Sequence, residues 1–347
     1  MRDRRLGIIE GKVSDRIGVG IIGCGRWGQN LIRVFNQLSE ASVIICCNKS
    51  NHDRLDKLQS AYPHIETTQE VNDVLINSRV DAVAVATPDQ THFDIGRQAL
   101  RAGKHVFIEK PLALSLLQAK NLIDLAESRG RILMTGHIMQ YHPAIQWTRQ
   151  RLAAGQANPV SILSTRVEFG IAKADADLLW SSVIHDVSMI QYILGSEPEQ
   201  VYAVGASLND DRLRDILFVN LIFPGGVVGH IYAGFAGPYR ERRLILHANS
   251  EIVVFDGLTG SLKLFARRAS KSGAESGIRE YEKQFEAGRS IDLADMQEPL
   301  VVECRHFLEC VKTNMIPLSG GENALAVMRT LDKIEKVLRK TNMLRRR

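Results

Sequence analysis

Two short stretches of the 347-residue chain combine residue types at spacings that could do chemistry. The first is Gly23-Cys24-Gly25-Arg26-Trp27-Gly28, set between the apolar run Ile17–Ile22 and a helical pattern over 30–38. Strand, glycine turn and helix in that order can cradle a pyrophosphate. The first glycine permits the tight turn, the second lets backbone approach the phosphates, and the third lets the helix pack on the strand. Unpaired N–H groups and the dipole at the helix N-terminus then favour negative charge. Arg26 and Trp27, inside the motif, are expected at the same dinucleotide. The second stretch is Glu109-Lys110-Pro111, which ends the strand pattern His105–Ile108. An ammonium at the carboxyl edge of a parallel sheet can hydrogen-bond a substrate hydroxyl, and it helps remove the proton if the site lowers its pKa. Taken alone, the triplet reads first as a solvated surface lysine.

Five apolar strand patterns, at 17–22, 42–47, 82–86, 105–108 and 132–135, alternate with helical ones and position both stretches. In such open parallel sheets, ligands bind outside the carboxyl edge, where Thr87 and Pro88 also fall. NAD-specific folds place a carboxylate on the ribose 2′-hydroxyl roughly 20 residues past the glycines. This chain has Asn48-Lys49-Ser50-Asn51 there, which would tolerate or bind a 2′-phosphate. The cofactor is therefore expected to be NADP or NAD, leaning to NADP, with Lys49 as a plain loop residue the competing reading. Past Gly136 the pattern changes. Helices are expected over 144–154, 180–194, 300–313 and 323–338, and strands over 160–169, 201–206, 216–223, 227–235, 243–247, 251–255 and 261–265, with 268–296 polar and unpatterned. Strands without alternating helices form a mostly antiparallel sheet. The expected architecture is an α/β chain. An extension at 1–16 precedes a Rossmann dinucleotide-binding domain at 17–136 and an α+β domain at 137–347 with an open sheet, whose last helix packs back on the first domain.

Composition narrows the classes. The charged fraction is 24% and the net charge +5, with a basic end at Arg345-Arg346-Arg347 but no aromatic-interleaved basic patch, so nucleic acid is not an expected partner. No apolar run approaches the roughly 20 residues that span a bilayer, and no signal-peptide core follows the charged start. The five cysteines, at 24, 46, 47, 304 and 310, lack metal-ligand spacing. They read as core thiols in a reducing compartment, the cytoplasm, with no metal expected.

The glycine motif, Ala86-Thr87-Pro88 with His92, and Gly103 through Pro111 together closely resemble the Gfo/Idh/MocA oxidoreductase family. The similarity continues through Gly136-His137, Tyr141 to Ala144, Trp180 with His185-Asp186, Pro238 to Arg243, Glu298 to Leu300, His306 to Cys310 and Pro317 to Glu322. It covers nearly all of the chain after residue 16. The C-terminal stretches look most like the branch of UDP-N-acetylglucosaminuronic acid 3-dehydrogenases and similar nucleotide-sugar enzymes. The resemblance implies hydride transfer between nicotinamide and a secondary alcohol of a sugar or nucleotide sugar. The substrate would lie in a cleft against the open sheet, in a homodimer or homotetramer. The family's lysine falls on Lys110 and its active-site histidine on His185, and cofactor contacts are implied for Thr87, Pro88, His92 and Glu109. Many members carry an aspartate four residues before that histidine, where this chain has Ser181. Helical periodicity puts Ser181, His185, Ser188 and Tyr192 on one polar face, which meets either the cleft or bulk water. Asp186 points about 100° away. His137 and Tyr141, just past the last Rossmann strand, and Arg166 are further candidates for substrate contact. Arg240 and Arg243 are either the same or exposed charges. A non-catalytic dinucleotide- and sugar-binding regulator of this fold is the alternative function.

Overall fold

The apolar strands 17–22, 42–47, 82–86, 105–108 and 132–135 lack alternation because helices cover both of their faces. The computed structural model describes residues 16–49, 51–169, 177–207, 214–267, 288–293 and 297–345. Its first sheet is built from β1 (Ile17–Ile22), β2 (Ala41–Cys47), β3 (Glu66–Thr68), β4 (Ala82–Val85), β5 (His105–Glu109) and β6 (Leu133–Gly136). All five pairings are parallel, in the order β3-β2-β1-β4-β5-β6. Helices α1 (Arg26–Gln37), α2 (His52–Ala61), α3 (Val71–Ile76), α4 (His92–Arg101) and α5 (Leu116–Ser128) make the crossovers. Chain order reverses between β1 and β4, and the crevice outside the carboxyl ends opens at that switch point.

After α6 (Pro143–Ala153) the chain forms β7 (Pro159–Phe169), a π-helical turn at Leu179–Val183, and α7 (Ile184–Leu194). Seven more strands follow: β8 (Gln200–Ala206), β9 (Ile216–Ile222), β10 (Val228–Gly237), β11 (Glu241–Ala248), β12 (Glu251–Asp256), β13 (Ser261–Ala266) and β14 (Arg289–Ile291). The eight-stranded sheet runs β14-β13-β12-β11-β7-β10-β9-β8 and is antiparallel except where β7 meets β10. One face buries Ile162, Leu217, Val219, Ile231, Leu244 and Val253 together with Val187 and Ile190 of α7. Helices α8 (Pro299–Thr313) and α9 (Gly321–Arg345) return toward the first sheet. Phe307 of α8 meets Phe35 of α1 and Phe107 of β5 edge-on, and α9 packs against α5 and β6 as well as α7 and β8. Among the described residues, no helix is long and apolar enough to cross a membrane.

Three expectations need correction. Residues 66–68 form a strand that three partly polar residues did not reveal, and 289–291, expected to be unpatterned, add β14 as an exposed edge. The helix expected over 180–194 is split into the π turn and α7. The expected extension lies outside the described residues apart from Arg16, as do 268–287, 294–296 and Ser50.

The glycine turn is as tight as the motif requires. Gly23 has φ +100°, and a Cβ on Gly28 would stand 1.8 Å from the Gly23 carbonyl oxygen. Gly28→Ala should cost about 1–3 kcal/mol by overpacking and weaken dinucleotide binding. Thermal unfolding with a cofactor titration checks this, and wild-type values in both would contradict the packing described.

Candidate active site

The carboxyl end of β5 delivers Glu109 and Lys110 to the crevice, and the Lys110–Pro111 peptide bond is cis. Glu109 is buried against Gly136, where a Cβ would lie 2.9 Å from its carboxylate. The Trp27 indole N–H donates to one carboxylate oxygen, and the Lys110 backbone N–H to the other at 3.3 Å. Burial pushes the Glu109 carboxyl up to about 7, against the opposing pull of Trp27 and Lys110. His92 is also buried, with Nδ1 2.7 Å from the Pro111 carbonyl and Nε2 2.9 Å from that of Thr87. It ties the loop after β4 to the exit of β5, so that both loops line one cavity.

The second domain supplies the facing wall. Lys110 Nζ donates to the backbone carbonyl of Ser181 at 2.9 Å, across 71 positions of sequence. Ser181 sits in the π turn, an irregularity that often marks functional positions. One turn further along, His185 enters the same cavity of about 460 Å³, lined also by Trp27, Thr87, Glu109, Lys110 and Arg242. Burial drives the His185 imidazole well below its ordinary pKa, and the positive charges of Lys110, Arg166 and Arg242 push the same way. Burial and Lys110 bring His137 down to about 3. Two neutral imidazoles thus stand near an ammonium. Among the described residues, the buried Ser181 Oγ and His137 Nδ1 have no hydrogen-bond partner. Buried polar atoms are rarely left so, and neither residue is among the described residues that line the cavity.

A second cavity of about 700 Å³ shares Ala86 and Thr87 with the first, and Gly23, Gly25, Asn48, Lys49, Arg54 and Pro88 line it. The residues fit a dinucleotide: the glycines open the wall next to the N-terminus of α1, and the cavity continues to Lys110 through Thr87. Arg26 and Trp27 are exposed in the first turn of α1. Asn48 turns inward and donates to the Asn51 carbonyl at 3.2 Å. Lys49 is exposed at the end of β2. Arg54 was missed in the sequence. The available signal was Asn51, whose side chain caps α2 by accepting from the Arg54 N–H at 3.0 Å, which places the first turn of that helix beside the cavity.

Two candidates lie elsewhere. Tyr141 is packed in the core, its hydroxyl 3.1 Å from Ser319 Oγ, and it joins the α8 region to the first sheet rather than facing the cleft. Arg166 spends its fork on Asp186 at 2.8 and 3.1 Å, which satisfies the charge it was expected to offer a ligand. Asp186 also accepts from Ser164 Oγ at 2.7 Å. Of the polar face expected to meet either the cleft or bulk water, His185 lines the cavity, while Ser188 is buried and accepts from Gln140 Nε2 at 2.8 Å. Arg242, absent from the sequence candidates, lines the cavity. Arg240 and Arg243 are largely exposed and pair with Glu168 and Glu241.

A glycine-turn parallel sheet facing an open sheet across such a cleft defines a class of two-domain dinucleotide-dependent oxidoreductases. The chain belongs to the Gfo/Idh/MocA family: residues 17–137 match its NAD-binding Rossmann-fold oxidoreductase domain and residues 147–254 match its C-terminal domain. It is 28% identical over 298 residues to UDP-N-acetylglucosamine 3-dehydrogenase of Acidithiobacillus ferrooxidans, covering 84% of this chain and 88% of that protein. A solved structure of that enzyme superposes with TM-score 0.82 at 25% identity, over 94% of this chain and 99% of the other. The 2,7-anhydro-N-acetylneuraminate hydratase of Escherichia coli is 27% identical over 274 residues, 72% of this chain and 70% of that protein.

The buried Glu109 has a pH signature. Its folded pKa, about 7, lies above the ordinary 4.5, so its contribution to stability is full below 4.5 and is lost as pH rises through 7. Between pH 5 and 8 that loss amounts to about 2 kcal/mol, and Glu109→Gln should remove it. Denaturant unfolding at the two pH values tests this; an unchanged pH dependence would show that ionised Glu109 carries no penalty.

Proposed function

We propose that the protein transfers hydride between a nicotinamide dinucleotide, preferably NADP, and a secondary alcohol of a sugar or nucleotide sugar. The observation that carries this reading is the placement of the Lys110 ammonium, fixed on the Ser181 carbonyl, in one cavity with His185 and next to the glycine cradle. When bound, the cofactor supplies or accepts the hydride; the protein positions and polarises. Lys110 hydrogen-bonds the reacting hydroxyl and steers its proton, and neutral His185 accepts a hydrogen bond or the proton itself. Ser181 offers a hydroxyl where many relatives would offer a carboxylate, so it orients substrate without adding negative charge. His137, buried near Lys110, keeps its Nδ1 without a partner among the described residues.

Lys49 and Arg54 support the NADP preference, since no carboxylate is among the described residues lining that cavity. The uncovered sheet face supports self-association into a homodimer or homotetramer. Tyr202, Val204 and Phe218 are 56%, 44% and 41% exposed there, and Phe218 stacks on Tyr232. Five buried free thiols suit a reducing, cytoplasmic setting.

Lys110→Ala should lower turnover by about 10²–10⁴-fold. It should leave dinucleotide affinity nearly unchanged, as read by nicotinamide absorbance and a binding titration. A wild type that binds cofactor and sugar tightly without any absorbance change would favour the regulator reading. Lys49→Asp should weaken NADPH about tenfold or more relative to NADH, the scale of a lost charge-assisted hydrogen bond. Equal effects on the two cofactors would remove the NADP preference.

A further inference from the structure

We infer that the substrate carries an anionic group, a sugar carboxylate or a phosphate, and that this group docks on Arg242 in the cleft wall. The inference rests on the oxidoreductase reading for the identity of the site, and on different residues for its evidence. Arg242 projects from β11 into the cavity that holds Lys110 and His185. It also borders the small cavity beneath α7 that Arg166 lines, so it stands where the two walls meet.

Its charge is only partly balanced. Arg242 donates to Glu168 Oε1 through Nε at 3.2 Å and Nη2 at 2.5 Å, while Arg240 donates to Oε2 of the same carboxylate at 3.0 Å. Two guanidiniums on one carboxylate leave one positive charge over. Arg166 adds nothing to the excess, because Asp186 answers it. Lys110 lies in the same cavity, its Nζ donating to the Ser181 carbonyl at 2.9 Å. Among the described residues, the carboxylates lining this cavity are Glu109, already engaged by Trp27, and Asp89 on the dinucleotide-domain lip. An uncharged sugar would leave Arg242 facing the cleft with half of a shared partner. An oxyanion would complete it, because a planar guanidinium takes carboxylate and phosphate in forked pairs. Glu168 marks the exchange: on arrival of the substrate anion it keeps Arg240 and releases Arg242. That exchange would make Arg242 a selector for charged over neutral rings.

The test uses the full chain loaded with NADP+, the hydride acceptor that alcohol probes require. Binding is followed by tryptophan fluorescence, which Trp27 at the cavity makes informative, and kcat and KM by nicotinamide absorbance. The probes are matched sets: glucose against glucuronate and glucose 6-phosphate, and N-acetylglucosamine against UDP-N-acetylglucosamine. The expected result is that at least one anionic probe binds about tenfold or more tightly than its neutral partner, in line with a charge-assisted pair. Arg242→Gln should shrink that ratio to about threefold or less, Arg242→Lys should retain part of it, and added salt should lower it. Which anion benefits distinguishes a carboxylate from a phosphate. Equal binding of charged and neutral probes, or an anion preference untouched by Arg242→Gln, overturns the inference. Anion-selective binding that depends on Arg242 without nicotinamide turnover would sink the oxidoreductase reading and leave this one standing. Turnover of neutral sugars with no anion preference would do the reverse.

Discussion

The contact from Lys110 Nζ to the Ser181 carbonyl, 2.9 Å long, is the constraint on which the arrangement depends. It joins the carboxyl end of β5 in the first sheet to the π turn that opens α7 over the second. Lys110 reaches the crevice because β5 lies one strand from the switch point, and His185 reaches it because α7 starts directly after that turn. The contact also sets the electrostatics. Burial, reinforced by the Lys110 ammonium, disfavours positive charge on the nearby imidazoles of His137 and His185, which stay neutral. The same groups are therefore held in place and held in the protonation state suited to accepting a hydrogen bond.

Polar groups without partners mark where this fold departs from a fully satisfied interior. Among the described residues, Ser181 Oγ in the π turn and His137 Nδ1, just after β6, are such groups. Deeper, Glu303 of α8 is fully buried with neither carboxylate oxygen hydrogen-bonded among the described residues. Burial, reinforced by the nearby Glu109, lifts its pKa well above the usual carboxylate range, so it rests there as a neutral acid. A buried neutral acid is far cheaper than a buried ion. Burial raises Glu109 to about 7, against the opposing pull of Trp27 and Lys110, which favour its charge. The two carboxyls differ through their surroundings alone.

Much of the frame was legible in the sequence because it is written locally. The glycine spacing, the unbroken apolar strands and Glu109-Lys110-Pro111 announce a parallel sheet with a lysine at its edge, and that is the sheet observed. The residues that escaped notice depend on contacts distant in sequence. Periodicity puts Ser188 on the same face as His185 but says nothing of Gln140, 48 positions away, which covers it. Arg166 looks available until Asp186 is seen to fill its fork, and Tyr141 looks like a cleft residue until Ser319, 178 positions on, takes its hydroxyl. Arg242 stayed hidden because a strand arginine is ordinarily a surface charge, and only the β11–β7 pairing brings it over the cleft beside Glu168. β14 is too short and too exposed to carry a pattern.

The central claim is that the Lys110–His185 cleft supports direct hydride transfer between a sugar ring carbon and nicotinamide. The most direct measurement is the mass of the reduced cofactor formed from ring-deuterated sugars and nucleotide sugars. The account predicts reduced nicotinamide that carries one deuterium taken from the oxidised carbon. Reduced nicotinamide without the label, or consumption of the sugar with no reduced cofactor at all, would contradict it.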